Sequence, residues 1–222
     1  MSKVFQQGLT VTRCQKLYVE NAGQWPGVDR PGPAAKSCVW INQGRLSHVL
    51  LNKGMQFTSK GLKADGFAGF RPIGSLEVMR LPQATGIFAV LAPEGFQPRF
   101  LRKSTAGVFK KKDPSLPEPA LAAEWVDTAV VLYLGKAGPG SKGNRGLRRQ
   151  IQEFLDFGQG KPPGHWDGRL VWQLADAEKL LIAWKELPAE HLGKAEADYH
   201  TAFVEDYGQL PFANLVRART KG

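Results

Sequence analysis

One segment, residues 129–158, constrains this chain more than any other. An apolar run from Ala129 to Leu134 leads into a loop with five glycines, and an amphipathic helical pattern begins near Leu147. The three parts predict a strand, a glycine-rich turn and a helix, in that order. Helix N-termini offer backbone N–H groups and glycines allow close approach, so the arrangement favours a bound phosphate.

The same segment is strongly basic. No acidic residue lies between Tyr133 and Gln152, whereas five cations do: Lys136, Lys142, Arg145, Arg148 and Arg149. A second basic run, residues 99–112, ends in Lys110, Lys111 and Lys112. The formal net charge is +10, and clustering without interleaved acids favours a polyanionic partner over a merely solvated basic face.

Several classes of protein are disfavoured by the remaining composition. No apolar run in the 222 residues approaches the roughly 18 needed to span a bilayer, and the N-terminus lacks the apolar core of a signal peptide. The expected location is therefore the cytoplasm. Cys14 and Cys38 have no metal-ligand spacing and are expected to be reduced there.

The order of elements predicts one α+β domain after a different N-terminal region. Residues 1–80 are rich in glycine, proline and aromatics, which predicts a basic, β- and loop-rich extension. Residues 84–216 predict a small mixed three- to four-stranded sheet flanked by helices, with an inserted loop at 93–126. Its predicted elements are strands at Gly86–Ala92 and Ala129–Leu134, a short helix at Ala120–Trp125, a helix from Leu147, strands at Arg169–Leu174 and Leu180–Trp184, and a helix at Lys194–Tyr207 closed by Gly208.

Two familiar phosphate motifs fit the glycine turn poorly. The P-loop pattern G-x-x-x-x-G-K-[ST], started at Gly135, reaches Gly140 but then has Ser141 where lysine is required. A dinucleotide pattern has the right glycine spacing from Gly138, yet no acidic residue follows at the required distance. A small-phosphate or nucleotide-binding protein therefore stays as an alternative rather than the first interpretation.

The ordered motifs resemble the GIY-YIG nuclease family. The runs GIF (Gly86–Phe88) and LYLGKA (132–137) resemble its two half-motifs, and they are followed by His165, by Glu196 in E-x-x-Y-H-x-x-F, and by Asn214 in PFAN. The resemblance covers about residues 84–216. Phe88 stands where the family has a tyrosine, Gln150 stands where it has an arginine, and 44 residues separate Phe88 from Tyr133.

This resemblance implies a metal-dependent endonuclease that hydrolyses phosphodiester bonds of DNA, expected to be double-stranded. It implies one Mg²⁺ or Mn²⁺ held by Glu196, with Glu205 as the alternative carboxylate. Tyr133 would position or activate the attacking water, and Asn214 would orient the neighbouring turn. The expected phosphate, acid–base and DNA contacts are Arg149 or Arg148 on the scissile phosphate, His165 as acid–base group or phosphate donor, and Lys136, Lys142, Arg145, Lys110, Lys111 and Lys112 on the DNA.

Two departures from the family leave a second alternative open. Phe88 has no hydroxyl and Gln150 has no charge, so a nuclease-like protein that binds nucleic acid without cutting it fits the same sequence. The N-terminal region and the insertion at 93–126 are the expected sources of further duplex contacts.

Overall fold

A computed structural model describes residues 56–162 and 167–216, together with the backbone of two short strands. The chain divides into two compact units, Met1–Leu51 and Asn52–Gly222. The division therefore falls well before residue 80, where the sequence places the end of the N-terminal region.

The described part of the first unit is an antiparallel hairpin. Strand β1 (Trp40–Asn42) pairs with β2 (Arg45–Ser47), and Trp40 lies opposite Ser47. β1 falls within an apolar stretch that predicts a strand. Two further short apolar segments of the N-terminal extension, residues 16–19 and 48–51, also predict strands, and both lie outside the described residues.

The second unit is built on a four-stranded sheet. Its strands are β3 (Ala68–Pro72), β4 (Gly86–Leu91), β5 (Val131–Ala137) and β6 (Leu181–Glu186), in the spatial order β3-β6-β4-β5. Every pairing is antiparallel, so the predicted mixed sheet is wrong in this respect. β5 and β6 run in the same direction, but β4 lies between them and pairs with both, so no parallel ladder forms.

Helices cover both faces of this sheet. They are α1 (Ser59–Ala64), α2 (Glu118–Glu124), α3 (Leu147–Gly158) and α4 (Leu192–Tyr207). All six residues of β4 are buried, and alternate ones face opposite sides: Phe88 packs in the cluster around α3, and Ile87 in the cluster around α4. The α+β class, the helix near residue 120 and the helix from Leu147 are confirmed.

The two half-motifs are adjacent despite their separation in sequence. β4 pairs with β5, and Phe88 lies opposite Gly135. A bulge at Leu132 breaks the ladder, because Val90 pairs with Tyr133 while the next residue pairs with Val131. The residues inserted between the two half-motifs therefore connect the end of β4 to the start of its neighbour β5.

The insertion packs against the rest of the domain, and the side chain of Gln173 makes three hydrogen bonds to its backbone. The side chain of Gln173 is 1% exposed; its Nε2 donates to the carbonyls of Leu101 (2.9 Å) and Leu116 (2.7 Å), and its Oε1 accepts from Leu116 N–H (2.8 Å). The segment that carries it, Arg169–Gln173, is a 3-10 helix, so the predicted strand at 169–174 is wrong. Its apolar residues pack in the core cluster that includes α3. Sequence periodicity alone does not distinguish a strand from a helix in so short a buried apolar run.

The last helix ends as its sequence predicts. Gly208 has φ +80°, a left-handed conformation that suits glycine, and its N–H donates to the carbonyl of Val204 at 2.8 Å. Within the described ranges, none of the helices combines the length and apolar character that a membrane span requires.

Candidate functional site

A cavity of about 540 Å³ opens beside the edge strand β5. Four residues that the sequence selects line it: Tyr133, Lys136, Glu196 and Asn214. They come from β5, α4 and the segment after α4. The remaining lining residues are Leu134, Gln150, Asp167, Gly168, Arg169, His200, Ala213, Leu215 and Val216.

Glu196 and Lys136, which both line this cavity, form an ion pair. Lys136 Nζ lies 2.5 Å from Glu196 Oε2, and the carboxylate-bearing side chain is 13% exposed. Lys136 is the exposed residue of an otherwise buried β5, and strand alternation places it on the same face as Leu134, which packs toward α4. The pair joins the strand to the first turns of α4.

Tyr133 contributes a phenol that stays protonated. It is 5% exposed, stacks on Phe154 with ring centroids 5.8 Å apart, and meets the edge of Phe88 at 5.7 Å. Burial raises the pKa of Tyr133, and the negative charges of Asp167 and Glu196 raise it further. A protonated hydroxyl can donate a hydrogen bond to a water or a phosphate oxygen, so Tyr133 suits a positioning role better than that of a general base.

Asn214 fastens the segment after α4 to the open edge of β5. Its Oδ1 accepts from the N–H of Leu134 and its Nδ2 donates to the carbonyl of the same residue, both at 2.8 Å. Ala213 N–H donates to the carbonyl of Leu132 at 2.8 Å. Asn214 is 8% exposed, and both the oxygen and the nitrogen of its side-chain amide are bonded to the backbone of Leu134. Its side chain therefore holds the segment in position against β5.

Replacing Asn214 with alanine is expected to destabilise the domain. The change leaves a buried N–H and a buried carbonyl of Leu134 without their partners, which costs about 2 kcal/mol or more in the free energy of unfolding. Urea denaturation measures the loss. Gln209→Ala is the control, because that exposed amide makes only two 3.3 Å contacts and should cost less than about 0.5 kcal/mol. An Asn214→Ala protein as stable as wild type would contradict the clamp.

Three charged or titratable lining residues escape the sequence analysis. Asp167 and Arg169 flank Gly168 just after the glycine- and proline-rich loop, and His200 lies one helical turn after Glu196. The i,i+4 spacing of Glu196 and His200 is a signal that sequence alone contains. His200 is 2% exposed.

The arginines of α3 lie away from this cavity. Arg148 Nε donates to the carbonyl of Leu81 at 2.8 Å, which ties α3 to the loop before β4. Arg149 Nε donates to Glu153 Oε1 at 2.9 Å, and Arg145 also bonds to Glu153. Neither Arg148 nor Arg149 lines the cavity that holds Tyr133 and Glu196, whereas Gln150 does.

A second, smaller cavity collects the basic side chains of the glycine turn. It measures about 350 Å³, and its lining residues are Ser141, Lys142, Asn144, Arg145 and Arg149. Its three cations and two neutral polar groups suit an anion. We call it the basic cavity and the larger one the Glu196 cavity.

The backbone of the glycine turn is less available to a phosphate than the sequence predicts. Leu147 N–H donates to the carbonyl of Ala84 (2.9 Å), and Arg148 N–H donates to that of Pro82 (3.0 Å). Arg145 and Gly146 N–H groups bond to carbonyls within the turn, both at 3.0 Å. The prediction that N–H groups at the start of α3 are free for a phosphate is therefore wrong for its first two residues. Carbonyls of the loop before β4 accept hydrogen bonds from both of them.

The remaining predicted contacts divide into two groups. Lys110, Lys111 and Lys112 are exposed at a tight turn of the insertion, where Phe109 and Lys112 bond to each other, and they line neither cavity. His165 lies outside the described residues.

Glu196 provides the donor set on which a divalent metal would depend. Magnesium is commonly held by one or two carboxylates with waters and substrate oxygens completing the shell. Within residues 56–162 and 167–216, no group of three or more His, Cys, Asp or Glu side chains is placed to hold a metal. The cavity is lined by two carboxylates, Glu196 and Asp167, which fits the sparse magnesium arrangement and does not fit a dedicated all-protein cage.

Comparisons with protein-family models, with curated proteins and with solved structures find no match to this chain.

Proposed function

We propose that this protein is a divalent-metal-dependent endonuclease that hydrolyses DNA phosphodiester bonds in the Glu196 cavity, with a GIY-YIG-type site. One observation carries the proposal. Tyr133, Lys136, Glu196 and Asn214, chosen from the sequence by motif, line a single cavity although they span more than 80 positions. The pairing of the two half-motifs on adjacent strands adds support.

The chain's own groups divide the work of hydrolysis. Glu196 would hold the metal, which would supply Lewis-acid stabilisation of a charged phosphoryl oxygen. Lys136 lies beside that carboxylate and brings positive charge to an incoming phosphate. The Tyr133 hydroxyl would donate a hydrogen bond to the phosphate or the attacking water from a stacked ring, and Asn214 holds the strand that carries Tyr133.

The basic cavity fits a neighbouring backbone phosphate. Guanidinium and ammonium groups bind phosphate through charge-assisted hydrogen bonds, and Glu153 holds two of the guanidiniums in place. In this proposal Arg149 binds DNA rather than the scissile phosphate. Positioning contacts of this kind carry no sequence information, so they set affinity and not target choice.

Removing Lys142 and Arg149 charges should weaken DNA binding and flatten its salt dependence. For the double variant Lys142→Gln/Arg149→Gln, the slope of log affinity against log salt is expected to fall by about 1 to 2, because each lost phosphate contact accounts for about 0.9. Fluorescence anisotropy with a labelled duplex at several salt concentrations measures it. Lys161→Gln/Lys179→Gln removes two exposed charges that line neither cavity and is the matched control. Equal slopes for the two double variants would contradict a phosphate contact in the basic cavity.

The experiment that tests the function itself is plasmid nicking. Supercoiled plasmid is incubated with the protein and Mg²⁺, with Mn²⁺, and with a chelator in place of metal. Conversion to nicked circles only with metal supports the proposal. No conversion, with a gel shift, would favour the second candidate, a protein that binds without cutting.

That second candidate has its own support. Phe88 is 1% exposed and has no hydroxyl to offer, and Gln150 lines the Glu196 cavity where the family resemblance expects an arginine. A nucleotide held by the glycine turn has less support, because several amides of that turn bond to protein carbonyls.

A further inference from the structure

The Glu196 cavity is lined by two cationic side chains, Lys136 and Arg169, among the residues that the structure describes. Lys136 is the ion-pair partner of Glu196 at 2.5 Å, and it is a single ammonium without the planar fork of a guanidinium. A phosphoryl group that gains charge in the transition state needs further compensation, and a guanidinium supplies it through two parallel hydrogen bonds.

The arginines nearest in sequence to the motif do not provide that group. Arg148 is bonded to the carbonyl of Leu81, while Arg145 and Arg149 are bonded to Glu153 and line the basic cavity. Gln150 reaches the Glu196 cavity but is uncharged. The guanidinium in this cavity is that of Arg169, which belongs to the segment that begins at Asp167.

Gly168 places this segment directly against Tyr133. It has φ +74°, and a Cβ added there would lie 3.2 Å from Tyr133 Cζ and 2.9 Å from Phe154 Cε2. A larger residue would therefore push the segment away from the phenol. Because Gly168 precedes Arg169, the close approach puts the guanidinium-bearing residue beside the proposed reacting position.

The segment is also rigidly supported. Arg169 opens the 3-10 helix Arg169–Gln173, whose next two residues, Leu170 and Val171, are fully buried. The insertion holds its far end through Gln173 and through the carbonyl of Trp172, which accepts from Thr105 N–H at 3.0 Å. The long insertion thus serves as the support for the segment that carries Arg169.

We propose that Arg169 contacts the scissile phosphate and stabilises its developing charge, in the role for which the sequence offered Arg148 or Arg149. The inference rests on the proposed nuclease function. Burial lowers the pKa of Arg169, the carboxylate of Asp167 raises it, and a guanidinium stays charged at neutral pH. Asp167 balances that charge while no phosphate is bound.

Single-turnover nicking at saturating protein, with duplex affinity measured in parallel, tests the role. Arg169→Gln should lower the nicking rate about 100-fold, the usual effect of removing one transition-state donor, while affinity changes only a few-fold. Arg169→Lys should recover part of the rate because it restores charge without the planar fork. Lys179→Gln, which removes an exposed charge outside both cavities, should leave rate and affinity at wild-type values.

A relocated guanidinium makes the test independent of folding at position 169. Gln150 lines the same cavity, so Gln150→Arg added to Arg169→Gln should raise the rate at least about 10-fold above that of Arg169→Gln. Thermal melting of each variant confirms that the domain is folded.

The outcomes separate the inference from the function on which it rests. Arg169→Gln nicking at the wild-type rate, while Glu196→Gln is inactive, overturns the role of Arg169 and leaves the nuclease proposal standing. The role is equally overturned if folded Arg169→Lys and the relocated variant are no faster than Arg169→Gln. Nicking that is absent in wild type, or equal in wild type and Glu196→Gln, removes the nuclease proposal itself.

Discussion

Glu196→Gln is expected to lower metal-dependent plasmid nicking by about 1000-fold or more. The amide keeps the size of the side chain but loses the charge that would hold the metal, and several kcal/mol of transition-state stabilisation correspond to that factor. The single-turnover rate at saturating protein is the quantity to measure, with duplex affinity beside it. Affinity should stay within a few-fold, because the basic cavity keeps its cations.

The control for this change lies on the same helix. Glu205 is exposed on α4 and does not line the Glu196 cavity, so Glu205→Gln should nick at the wild-type rate. Stability should not confuse the comparison, since the ion pair lost in Glu196→Gln includes a half-exposed Lys136 and is worth about 1 kcal/mol or less. If Glu205→Gln were the inactive variant, the carboxylate assignment would be reversed.

Gly146→Ala is expected to destabilise the domain by about 3 kcal/mol. Gly146 precedes α3 with φ +107° and ψ −170°, a conformation that costs other residues about 1–3 kcal/mol. An added Cβ would also lie 2.0 Å from the carbonyl oxygen of Gln83, so the loop before β4 would have to move. Urea denaturation measures the change in the free energy of unfolding.

Gly143→Ala is the matched change within the same turn. Gly143 has φ +70°, but nothing lies within 4 Å of an added Cβ, so the expected cost is about 1–2 kcal/mol from backbone conformation alone. A large difference between the two variants supports a packing role for Gly146. If the Gly146→Ala protein were as stable as wild type, the packing of the turn against Gln83 would not require glycine at position 146.

The strongly patterned elements of the fold were predictable from sequence. The apolar run at 86–92 and the amphipathic pattern from Leu147 correspond to β4 and α3, because a short apolar run and helical periodicity are local signals. Gly208 marked the end of α4 for an equally local reason, its left-handed conformation. The ordered motifs also selected Tyr133, Lys136, Glu196 and Asn214, which line one cavity.

The remaining features depend on long-range packing that leaves little local trace. The run at 169–174 is apolar like a strand, but its backbone bonds to the insertion instead of a sheet partner. The side chains of Arg148 and Arg149 are bonded to the carbonyl of Leu81 and to Glu153. The spacing of the motif residues in the sequence does not reveal these contacts. Asp167 and Arg169 line the cavity on either side of Gly168, whose lack of a Cβ allows the segment to lie close to Tyr133.

The most direct test of the central claim compares the two cavities under the same conditions. Single-turnover nicking is measured against protein concentration for Glu196→Gln and for Lys142→Gln/Arg149→Gln, with Mg²⁺ present. Chemistry in the Glu196 cavity predicts that the first variant loses its maximal rate at unchanged affinity, and that the second needs more protein but reaches the wild-type maximal rate. The reverse result, with the maximal rate lost in the second variant and retained in the first, would contradict the claim and assign the chemistry to the glycine turn.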